Sequence, residues 1–83
     1  MIKIFSTDKP YLYIILEDKK TSASVTKCSG YFMEGVFLGI NVIDRREVTG
    51  LDRQTTEEIL EGCFKKVFER DMIEEMRQHL VKM

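Results

Sequence analysis

Cysteine and histidine are scarce in this chain: two cysteines, Cys28 and Cys63, and one histidine, His79. They cannot supply the four soft ligands of a structural zinc or the disulfide framework of a small secreted domain, so no metal and no cofactor is expected. No serine or cysteine lies within helical reach of His79, which leaves no nucleophile pair and points to a non-enzymatic protein. A glycine-rich phosphate loop, a paired metal-ligand motif and a nucleotide fingerprint are missing too. No apolar run approaches the roughly 18 residues of a membrane span. The opening stretch meets a charge at Lys3, so no signal peptide is expected either. The expected location is therefore cytoplasmic, with reduced thiols: Cys63 in the core and Cys28 nearer the surface.

A surplus of one charge is also lacking. Lysine and arginine number 13 against 14 acidic residues, and neither half of the chain departs far from balance. Proteins that bind nucleic acid draw most of their non-specific affinity from phosphate neutralisation and show a basic stripe. The alternative of a small dimeric nucleic-acid-binding module rests here on strand aromatics (Tyr11, Tyr13, Tyr31, Phe32, Phe37) together with Lys19, Lys20, Lys27, Arg45 and Arg46. Arg45 and Arg46, flanked by Asp44 and Glu47, are the candidate contact for an anion or acidic partner, although on one strand neighbours face opposite ways.

With 43% apolar and 33% charged residues in 83, the composition is that of one folded domain spanning 1–83. Its first part, 1–48, reads as sheet. Ile2 to Ser6 and the uninterrupted apolar run Tyr11 to Leu16 are strand candidates. Thr21 to Lys27 alternates and suits an edge strand, and Ser29-Gly30 signals a turn or bulge. Tyr31 to Met33 and Val36 to Ile43 flank Glu34-Gly35 as a hairpin with a two-residue connection. Along the second of these, Val36, Leu38, Ile40 and Val42 form one row, and Gly39 marks a bulge or a close approach.

The second part, 52–83, reads as helical. A start at Asp52 or Thr55 is signalled, the latter by a capping box with Glu58. Ile59, Leu60, Cys63, Phe64, Val67 and Phe68 share one face at helical spacing, whereas Met72, Ile73, Met76 and Leu80 centre on the opposite face. A continuous helix from Thr55 to Met83 would run about 43 Å, against a diameter of about 30 Å for a compact chain of this length. The expected fold is thus α+β, three or four antiparallel strands followed by a long C-terminal helix, continuous or broken near Arg70-Asp71. Met72, Ile73, Met76 and Leu80 become the expected partner-binding ridge, and the expected function is a small protein-binding regulator, adaptor or inhibitor acting as a homodimer. Phages and mobile elements encode many regulators of this kind.

Overall fold

The computed structural model describes residues 1–70 and contains five strands and one helix. In chain order these are β1 (Ile2–Ser6), β2 (Leu12–Asp18), β3 (Ser22–Met33), β4 (Val36–Thr49), α1 (Leu51–Cys63) and β5 (Lys65–Arg70). The strands form one antiparallel sheet of order β4-β3-β2-β1-β5. The first four make a meander. The helix then carries the chain back across the sheet, so that β5 pairs with β1 at the far edge.

The long C-terminal helix is therefore not formed. α1 ends at Cys63; Phe64 donates its N–H to the Leu60 carbonyl at 2.9 Å and adopts extended backbone at φ −131, ψ 157. Two forces set this stop. Gly62 weakens the last turn, and β1 would otherwise leave one whole row of backbone groups unpaired, which Lys65–Arg70 pairs with along the length of β1, passing over Val67. Val67 and Phe68, read as helix-stripe residues, are good strand formers. The start also differs: Gly50 is the N-cap, without a side-chain cap, and Thr55 lies inside the helix with its hydroxyl on the Leu51 carbonyl at 3.2 Å. No capping box with Glu58 forms.

Cross-strand partners share a face, so register assigns the two sides of the sheet. The helix side carries Lys3, Phe5, Ile14, Leu16, Ala23, Val25 and Val48. Phe5, Leu16, Ala23 and Leu60 form the buried core there, with Ile14, Val25, Val48 and Phe64 packed around them. Of the expected helical stripe, Leu60 goes inward at 6% exposure while Ile59 is 57% exposed, because the sheet is met by the line Arg53, Glu57, Leu60, Phe64. Arg53 pairs with Asp18, and the Lys3 ammonium pairs with Glu57 and with Glu61. Burial pulls Lys3 toward deprotonation, but the hydrogen bonds to Glu57 and Glu61 and their charges outweigh it and hold its pKa above the ordinary lysine range.

The other side is covered by the chain itself. β3 and β4 are long, 12 and 14 residues, and their distal half curls across the sheet. Phe32 meets Tyr13 at 6.0 Å, Phe37 at 4.8 Å and Phe68 of β5 at 5.6 Å between ring centroids. Ile4 and Cys28 are buried on this side. The hairpin turn is the expected one, with Glu34 at φ 53 and Gly35 at φ 83. Gly35 is needed twice: for its left-handed backbone, and because a Cβ there would stand 3.3 Å from the Phe68 ring.

Candidate interaction surface

β4 carries two extra residues relative to β3. The register passes from Asn41 to Leu38 across Gly30, with Gly39 at φ 63, and skips Ile43 between Val42 and Asp44. Each bulge reverses the alternation of side chains. The expected single row of Val36, Leu38, Ile40 and Val42 is consequently split: Leu38 opposes Tyr31 on the helix side, whereas Val42 opposes Cys28 on the other. The alternating segment Thr21 to Lys27 also changes place, since β3 is interior, between β2 and β4.

The split creates an apolar surface. Tyr31, Met33, Val36 and Leu38 lie on the helix side of the sheet, and the Tyr11 ring stacks at 5.9 Å on Tyr31. All five are exposed, Leu38 at 60%. Their exposure follows from length: a 13-residue helix spans about 20 Å, and a 12-residue strand spans about 40 Å. The helix covers the lower half of this face and leaves the arm bare. Five exposed large side chains amount to several hundred Å², the size of the largest patch on a typical monomer (about 300–600 Å²), which is often the functional one.

The sheet edges are poorer templates for a partner. β4 is interrupted at Gly39 and Ile43 and then turns charged through Asp44-Arg45-Arg46-Glu47, which discourages continuous pairing. β5 is short, with Lys65, Lys66, Glu69 and Arg70 among its six residues. Val67 bulges out of its register, so Lys66 and Glu69 share a face and pair; that hydrogen bond holds the Glu69 carboxyl below its ordinary range.

The other expected site residues fall as follows. Arg46 pairs with Asp44 at 3.1 Å, while Arg45, on the opposite face, donates to Ser24 Oγ at 3.4 Å, so the two do not converge on one anion. Tyr13, Phe32 and Phe37 pack on one another, leaving Tyr11 and Tyr31 as the open rings of that set. Met72, Ile73, Met76 and Leu80, the expected ridge, and His79 lie outside the described residues. The cysteines exchange roles: Cys28 is buried, which pushes its thiol pKa up, and Cys63 is exposed; both are free. Among the described residues no helix is long and apolar enough to cross a membrane, and no three His, Cys, Asp or Glu side chains gather as a metal site. Comparison with protein-family models, curated proteins and solved structures yields no match to this chain.

The arm surface was missed in sequence because its signal is a pair of bulges. Gly39 was visible as one of them. Ile43, a strong strand former, gives no sign that the register skips it.

Proposed function

We propose that this chain is a small protein-interaction module that joins a second copy of itself through the bare helix-side face of the β3–β4 arm, and acts as a regulator or adaptor without chemistry of its own. The observation that carries the reading is the uncovered row Tyr31, Met33, Val36 and Leu38, set beyond the reach of α1. Its surroundings support a second copy over a strongly charged partner. Arg46 pairs with Asp44, and Lys27 opposes Asp44 across β3 and β4, so the border of this row carries both signs, and a twofold contact can set each sign against its opposite. Two such patches together come close to the lower bound of a specific interface, about 1,000–1,200 Å².

The test is Leu38→Glu, read by sedimentation equilibrium and circular dichroism on the same sample. A charge in a dry contact weakens association, so the variant runs as a monomer with unchanged secondary structure while the wild type is dimeric in the micromolar range. A wild type that stays monomeric overturns the second copy as occupant. A dimer indifferent to Leu38→Glu overturns the arm as its site.

A further inference from the structure

The geometry points to a binding site for a small amphipathic monocarboxylate at the foot of the bare face, where the helix stops. A cavity of about 270 Å³ opens there. That is just under the roughly 300 Å³ at which pockets for drug-sized molecules begin, and it limits the ligand to a single or fused ring or a short chain. The floor is apolar: Leu12 and Ile14 from β2, with Phe64 where α1 turns into β5. Phe64 leaves the helix at this point and its ring forms one wall, while the end of α1 leaves Leu12 and Ile14 open above it.

The rim supplies the charge. Lys9, in the β1–β2 turn, and Lys27, on β3 opposite Ile14, both line the cavity. Neither forms an ion pair among the described residues. Two ammonium groups at the mouth of an apolar pocket match a ligand with a carboxylate head and a hydrophobic body. Asp8 stands on the same rim. Its carboxylate leaves the lining with one net positive charge, which favours a monoanion over a phosphate dianion.

The turn is preformed. Thr7 donates its hydroxyl to the Leu12 carbonyl at 2.9 Å and accepts the Lys9 backbone N–H at 3.2 Å. The Leu12 N–H reaches back to the Lys9 carbonyl at 3.3 Å. The rim lysine is thus carried on a closed loop, which lowers the ordering cost of binding. The apolar floor, Leu12, Ile14 and Phe64, lies outside the arm row Tyr31, Met33, Val36 and Leu38, although Lys27 also borders that row.

Naphthoate and its neutral counterpart naphthylmethanol are the probes, titrated into the full chain and followed by amide proton–nitrogen correlation spectra. Shifts are expected to centre on Leu12, Ile14, Lys27 and Phe64, with the acid bound roughly tenfold more tightly than the alcohol, as charge-assisted hydrogen bonds imply. In the double variant Lys9→Gln/Lys27→Gln the preference falls to near unity while the alcohol binds as before. Both lysines are exposed, so the fold is retained, and the alcohol serves as the control for an intact pocket. Equal affinity of acid and alcohol for the wild type, shifts centred elsewhere, or tighter binding of phenyl phosphate than of naphthoate would each overturn the assignment.

Discussion

The ammonium of Lys3 donates to Glu61 Oε1 at 2.7 Å across 58 positions of sequence, and Glu57, one helical turn earlier, takes a second hydrogen bond from it. α1 is held to the sheet at this end by one cation shared between two carboxylates. Replacing Lys3 by alanine would leave those carboxylates facing each other with no counter-charge. With Lys3 buried and Glu61 half exposed, the expected loss is about 2–3 kcal/mol, below the 3–5 of a fully buried pair. The triple variant Lys3→Met/Glu57→Gln/Glu61→Gln should recover most of it, as urea unfolding would measure.

The same triad gives the domain an alkaline signature. The folded pKa of Lys3 lies above its unfolded value, so its contribution is fully present below the ordinary lysine value of about 10.4. Above that value the unfolded chain sheds the proton that the folded chain keeps, and stability falls until the folded pKa is passed. Urea midpoints should hold a Lys3-dependent increment from neutral pH up to that point and lose it beyond. In Lys3→Met this slope should vanish.

Two neighbours on α1 should respond oppositely to truncation. Leu60→Ala opens a cavity against Phe5, Leu16 and Ala23 and is expected to destabilise by about 2–5 kcal/mol. Ile59→Ala should stay within about 0.5 kcal/mol of wild type. Comparable losses at both positions would mean that the helix presents a different face to the sheet.

Gly35→Ala meets two obstacles at once. The left-handed backbone costs about 1–2 kcal/mol for a residue with a Cβ, and the new methyl presses on the Phe68 ring. Thermal unfolding should show a lower midpoint, partly restored by Phe68→Leu, which clears space without relieving the backbone. If Phe68→Leu restores nothing, the tip of the arm does not bear on β5.

The strands were legible where the local signal and the tertiary demand agreed. Ile2 to Ser6 and the Glu34-Gly35 turn declare themselves by residue type alone. The segment from Phe64 to Arg70 does not, because Phe64, Val67 and Phe68 satisfy a helical spacing and a strand propensity equally. What decides between them is the unpaired side of β1, more than fifty positions earlier, and no local window contains it. Reading helix there carries the stripe argument on to Met72, Ile73, Met76 and Leu80, which lie outside the described residues, and draws attention away from the arm. Lys3 was read only as a charge that breaks an apolar opening, since its two partners lie on an element whose sheet-facing side was assigned one step out of phase.

The pairing of β5, the fifth strand in chain order, with β1 has a further consequence, in time. β1 leaves the ribosome long before Lys65–Arg70, and its partner on that side arrives only after the meander and α1 have been made. Contacts of such large sequence separation form slowly, because the loop between them must close first. During that interval β1 offers a row of free amides and carbonyls to any other extended chain. A fragment ending before Lys65 should keep that liability permanently, and crowded nascent chains would meet through β1 before they could meet through the arm.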